Sequence, residues 1–164
     1  VYRPETCIRA TMEAADTYNL PLDQIMFEVT EAEPIDDPAH LMGIFEAYQE
    51  RGFITAIDDF GAGYAGLNLL TKFKPQVLKL DMELCQGIAG DMVKTTITEG
   101  AIKTAQALGI KVVAEGVELE SQLSTLAELD CDEVQGYLFS PAVEADAFAA
   151  SLKQTTRIRA RSIH

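Results

Sequence analysis

The chain has 164 residues, 48% of them hydrophobic, with 13 basic against 26 acidic side chains and a formal charge of −13. That is enough apolar material for one packed domain and too much for a disordered segment. The charge excludes a broad surface for duplex nucleic acid, which needs clustered lysine and arginine, and no apolar run approaches the roughly 18 residues of a membrane span.

Apolar residues at Cys7, Ile8, Met12 and Ala15 form one stripe and predict a helix over 4–18. "QIMFEV" (24–29) reads as a strand. "PAHLMGIFEAYQERG" (38–52) reads as a helix, with Leu41, Ile44, Phe45 and Tyr48 at helical spacing and Gly52 as its stop. "FITAID" (53–58) is the next strand, and a short helix follows near 66–73. "QVLKLD" (76–81) is a strand, 91–109 a long helix ending at Gly109, and "KVVAEGV" (111–117) a strand. The pattern closes with a helix over 118–129, the strand "EVQGYLF" (133–139) and a helix over 143–153. The basic "RIRARSIH" lies in a tail, 154–164, expected to be solvated.

Short apolar strands alternating with helices imply parallel pairing and an α/β fold. Two architectures compete, an open doubly wound sheet and a closed (β/α) barrel. The strand ends favour the barrel. Glu28 closes the first strand, Asp58 and Asp59 the second, Lys79 and Asp81 the third and Glu115 the fourth, while Gln135 sits in the fifth. A parallel barrel gathers all these ends on one rim, whereas an open sheet offers a ligand only the strands beside its switch point. The glycine-rich "GAGYAG" lacks the spacing of a dinucleotide or Walker fingerprint.

Taken singly, these residues have ordinary explanations. Glu31 could cap a helix, Asp58 could pair with Lys79, Lys79 could snorkel from a strand end, and Gln135 could be hydrogen-bonded packing. Taken together they place at least three carboxylates and a lysine on one rim, which stability alone does not explain. Adjacent buried carboxylates repel and require a cation. The histidines, His40 and His164, are far apart, so a histidine metal site or a Ser/His/Asp triad does not fit. Cys7, Cys85 and Cys131 are odd in number and widely spaced, as in a reduced cytoplasmic protein, and form no disulfide framework or zinc pattern. Carboxylates without His or Cys suit Mg²⁺ or Mn²⁺, with Lys79 as the alternative cation. Asp58 and Asp59 suit two ions about 3.5–4 Å apart, an arrangement that hydrolyses phosphodiesters. Gly61 and Gly63 let the following loop bend and approach closely.

The blocks "FEVTE", "DDFGAGYAGL", "LKLD", "AEGVE" and "QGYLF" resemble, in order and spacing, the signatures of EAL-domain cyclic di-GMP phosphodiesterases, over residues 1 to about 150. The resemblance implies a (β/α)8 barrel that hydrolyses cyclic di-GMP to linear pGpG with Mg²⁺ or Mn²⁺, two ions in the complete domain. It also implies a homodimer, an upstream sensor domain and inhibition by Ca²⁺. Carried over by position, Glu28, Asp58 and Asp59 are similar to the family's metal ligands. Glu31 resembles the glutamate that holds the loop after Asp59, and Lys79 the lysine that positions the attacking water. Glu115 resembles the metal-ligating or general-base glutamate, Gln135 the glutamine near the second metal, and Glu118 the second glutamate of its block. The Glu-Ala-Leu and Asn blocks of the family are absent, and Tyr64-Ala65-Gly66 stands where Tyr-Ser-Ser is commoner. A barrel of about 240 residues and five strands here lead to the expectation that residues 1–153 are the C-terminal two-thirds of the domain, inactive alone, with open sheet edges and incomplete metal ligation. Two other readings stand beside this one: a degenerate module that binds cyclic di-GMP or a protein partner, and a different barrel metalloenzyme.

Overall fold

Five parallel strands follow one another across one sheet in chain order: β1 (Met26–Thr30), β2 (Ile54–Phe60), β3 (Val77–Leu80), β4 (Lys111–Ala114) and β5 (Glu133–Val134). These come from a computed structural model that describes residues 4–30, 38–63 and 66–155. Helices connect the strands: α1 (Pro4–Tyr18) precedes β1, α2 (Pro38–Glu50) precedes β2 and α3 (Gly66–Lys72) precedes β3. Between β3 and β4 lie α4 (Met82–Cys85), a 3-10 turn (Ile88–Gly90) and α5 (Met92–Ala107). α6 (Glu120–Glu128) precedes β5, and α7 (Ala145–Thr155) ends the described chain. Strict sequential order has no switch point, so the sheet is of the barrel type and not the doubly wound type. Among the described residues, β1 and β5 each pair on one side.

Period-two alternation divides the sheet into two unlike faces. Ile57, Leu78, Leu80, Val112 and Ala114 point to the helices and join Leu70, Phe73, Ile102 and Leu126 in the main core. Ala56, Val77 and Val113 form a separate small cluster with Ile54 on the opposite face. Two residues further along each of these strands, on that same face, stand Asp58, Lys79 and Glu115. Ala56 pairs with Val77, and Lys79 with Val113, one same-face step before Glu115. At the β1 end, Phe27 packs on Tyr48 and Phe53 at centroid distances of 4.2 and 5.1 Å, and a third cluster fills the space under α1 and α2.

Every expected element is present in type and order, with boundaries that move for local reasons, and one short helix, α4, is additional. β2 runs two residues past Asp58, to Phe60. The register shifts between Ile57 and Phe60, and Asp59 takes a left-handed φ of 55°, so the extra residue is absorbed as a bulge. Phe60 then rejoins the ladder beside Leu80. β4 stops at Ala114 because Gly116 turns with φ 67°. β5 is a two-residue strand, not 133–139, because residues 136–139 turn. α4 was not foreseen. Asp81 starts it by accepting the Glu83 N–H at 2.7 Å, so Asp81 both caps α4 and lines the cavity beside the rim. Asp91 starts α5 in the same way, taking the N–H groups of Val93 and Lys94. From residue 156 the basic tail lies outside the described residues.

Cys85 is fully buried, and burial pushes its thiol up to about 12 and that of Cys131 up to about 11. Neither holds appreciable thiolate near neutral pH, and the thiolate is the reactive form. With Cys7 replaced by serine, the native chain should resist aromatic disulfide reagents and label at once in denaturant. Fast labelling of the native chain would mean that the layer between sheet and helices opens.

Candidate active site

The rim is built around Lys79. Its ammonium lies 2.9 Å from Asp58 Oδ1, 2.9 Å from Glu115 Oε1 and 3.0 Å from Glu28 Oε2, so a group with three donors meets three carboxylates. The Lys79 side chain is 12% exposed and that of Glu28 34%. Burial alone would lower the lysine's pKa, but the hydrogen bonds it donates to Glu115, Asp58 and Glu28 outweigh it and the net shift is upward. Lys79 is therefore a fixed cation that offsets part of the acidic charge.

It does not offset all of it. Carboxylate oxygens of Asp58, Asp59 and Glu115 lie within 4.8 Å of one another. Asp59 is raised above the ordinary carboxylate range by burial and by the charges of Asp58 and Asp81. Glu115 is raised by burial, against the pull of Lys79. Three oxygen donors with surplus negative charge and no nitrogen or sulfur ligand fit a hard divalent cation. The Asp59 bulge is what brings two adjacent aspartates to one side, since in a regular strand they would face opposite ways.

The remaining predicted residues fall around this core. Gln135, just past β5, donates from Nε2 to Glu115 Oε1. Glu28 faces Lys79 from β1 and is not among the three converging carboxylates. Glu118 donates its backbone N–H to Gln122 Oε1 at 2.8 Å and lines the adjoining cavity. Gly61 has φ 104° and sits against Leu84, whose Cδ1 would be 2.5 Å from an added Cβ. Gly63 is exposed in a bend. Glu31 lies outside the described residues.

A cavity of about 790 Å³ opens beside the rim. Asp59, Asp81, Glu115, Glu118 and Gln135 form one wall, and Met82, Tyr137, Pro141, Val143 and Phe148 form an apolar one. The sequence missed this second wall because its aromatic residues are spread along a turn and a helix without period. No helix among the described residues is long and apolar enough to cross a membrane.

Known proteins resemble this chain in sequence and fold. The chain is similar to cyclic di-GMP phosphodiesterase RocR of Pseudomonas aeruginosa, 38% identical over 123 residues that cover 75% of this chain and 31% of that protein. It is similar to cyclic di-GMP phosphodiesterase PdeL of Escherichia coli, 31% identical over 125 residues, 76% of this chain and 34% of that one. The chain thus spans about a third of the length of these two relatives. Among solved structures, a standalone versatile EAL protein from Vibrio cholerae O395, in its c-di-GMP-bound form, superposes with a TM-score of 0.81 and 45% identity, covering 86% of this chain and 60% of that one. Klebsiella pneumoniae BlrP1, in a manganese/cy-diGMP complex, gives 0.79 and 37%, covering 85% and 36%. The EAL domain family model matches residues 2–142, most of the sequence, and the chain belongs to the EAL domain family.

Proposed function

We propose that this chain is the catalytic-rim portion of a cyclic di-GMP phosphodiesterase, which hydrolyses the cyclic dinucleotide to linear pGpG with Mg²⁺ or Mn²⁺, two ions in the complete domain. The observation that carries the reading is the convergence of Asp58, Asp59 and Glu115 beside Lys79. These three carboxylates would hold the ion. When bound, it supplies Lewis-acid polarisation of a phosphoryl oxygen and a water acidic enough to attack near neutral pH. Lys79 Nζ holds Asp58 and Glu115 in place. Gln135 Nε2 fixes the rotation of the Glu115 carboxylate, whose oxygen is positioned to take a proton from a water at the cluster. The apolar wall with Tyr137 and Phe148 fits flat bases next to a phosphate bound at the acidic end. A cytoplasmic setting and pairing with a second copy belong to the same proposal, as does control by an upstream sensor, for which the greater length of the relatives leaves room.

The test incubates cyclic di-GMP and Mn²⁺ with the 164-residue chain and with a version carrying about 80 further upstream residues, which reaches ordinary barrel length. pGpG is expected from the longer version. Its absence there, with cyclic di-GMP still bound, would replace catalysis by ligand sensing. Asp58→Asn removes one ligand charge and should weaken Mn²⁺ binding sharply in either version, as read by titration of the metal alone. Unchanged metal affinity would reject the assignment of the site.

A further inference from the structure

The Glu115–Glu118 loop is fastened from a side that neither the rim nor the cavity explains. Gln122, in the first turn of α6, is 4% exposed. Its Oε1 accepts the backbone N–H groups of Glu118 and Leu119, both at 2.8 Å. That much is a helix cap, which needs only an acceptor. Its Nε2 does something further and donates to the carbonyl of Cys85 at 3.2 Å, at the end of α4, 37 residues away in the chain.

α4 is the element on which both carboxylate-bearing segments rest. A Cβ on Gly116, the residue after Glu115, would lie 2.5 Å from Met82 Cβ. A Cβ on Gly61, two residues after Asp59, would lie 2.5 Å from Leu84 Cδ1. Glu115 is fixed on its upstream side by the sheet, its N–H donating to Leu80 at 3.1 Å. Downstream, the loop is held by Val117 on the Gln135 carbonyl at 3.1 Å and then by Gln122.

We propose that Gln122 is a positioning residue for Glu115: by tying the loop after Gly116 to α4, it sets where the Glu115 carboxylate stands relative to Asp58 and Asp59. The proposal rests on the reading of those three carboxylates as a divalent-cation site. Loss of a group hydrogen-bonded directly to a metal ligand commonly costs about 10–100-fold in affinity, and Gln122, which acts on the backbone three residues beyond Glu115, is expected at the low end.

The experiment titrates Mn²⁺ alone onto the 164-residue chain, with free ion read by electron paramagnetic resonance. Gln122→Ala should weaken Mn²⁺ binding about tenfold. Gln122→Glu keeps the two accepting positions but turns the donor into an acceptor facing the Cys85 carbonyl. It should also weaken Mn²⁺, while the amide protons of Glu118 and Leu119 stay protected from exchange, and it carries the test if the alanine variant does not fold. In a Glu115→Gln background, Gln122→Ala should add less than about twofold, because residues acting through one group are not additive. Gln106→Ala removes a comparable side-chain tie, to the Asp130 carbonyl at 2.8 Å, and should leave affinity as it was. Equal losses from Gln122→Ala in both backgrounds, or an equal loss from Gln106→Ala, would mean general loosening and overturn the proposal. Wild-type affinity in the folded Gln122 variants would overturn it as well. If Glu115→Gln itself leaves Mn²⁺ affinity unchanged, the cation-site reading fails and takes this proposal with it.

Discussion

Lys79→Ala is expected to destabilise the metal-free chain by about 2–4 kcal/mol. Breaking a fully buried pair costs about 3–5 kcal/mol, and the range here is lower because Glu28 keeps 34% of its side chain exposed. The cause is what remains. Glu28, Asp58 and Glu115 all lie within 3.0 Å of the ammonium, and without it they face one another unneutralised. For a chain of this size the loss corresponds to about 4–16 °C in melting temperature. Lys79→Met keeps the aliphatic stem and should lose nearly as much, which separates charge from packing. Added Mn²⁺ should raise the melting temperature of the mutant more than that of wild type, since a cation bound only to the folded state stabilises it. In the barrel-length version, cyclic di-GMP binding should stay within a few-fold while turnover collapses. A parallel fall in both would make Lys79 a phosphate clamp, and an unchanged melting temperature would remove it from the stability argument.

Gly136→Ala should have the next largest effect, of steric origin. A Cβ there would stand 2.1 Å from the Val117 carbonyl oxygen and 2.3 Å from its nitrogen. Both are backbone atoms, so no side chain can swing aside. The Val117–Gln135 hydrogen bond would have to break or the whole turn would have to move. Overpacking typically costs about 1–3 kcal/mol, and a backbone clash falls at the upper end. Because Gln135 orients Glu115, Mn²⁺ affinity should fall with stability. Gly100→Ala supplies the contrast. It sits exposed in α5 with nothing within 4 Å of the added methyl, and should stabilise by about 0.5–1 kcal/mol through helix propensity. If both substitutions gave the same change in melting temperature, the close approach at Gly136 would be refuted.

The rim was legible because strand periodicity and polarity meet there. Ala56 and Asp58, or Val113 and Glu115, must share a face once the strand is granted. Lys79 was legible as a cation but not as the hub of three ion pairs, because Glu28 is 51 residues away and only the parallel register brings it close. The Asp59 bulge could not be read from spacing, since a left-handed aspartate has no distinctive sequence neighbour. α4 was hidden by length, four residues being too few for a helical period. Gln122 was hidden by type, since a glutamine in the first turn of an acidic helix looks solvated until the Cys85 carbonyl is found above it.

Asp58 and Glu115 belong both to the Lys79 ion pairs and to the carboxylate cluster. The rim therefore resembles an exchange resin whose resident counter-ion is tethered to the matrix. A divalent ion there would share Asp58 and Glu115 with a cation already in place. The tethered ammonium already neutralises part of the cluster, which would handicap singly charged ions from solution more than divalent ones. Glu28 faces the lysine without belonging to the cluster, so one of its three partners would stay with it whichever cation occupied the rim.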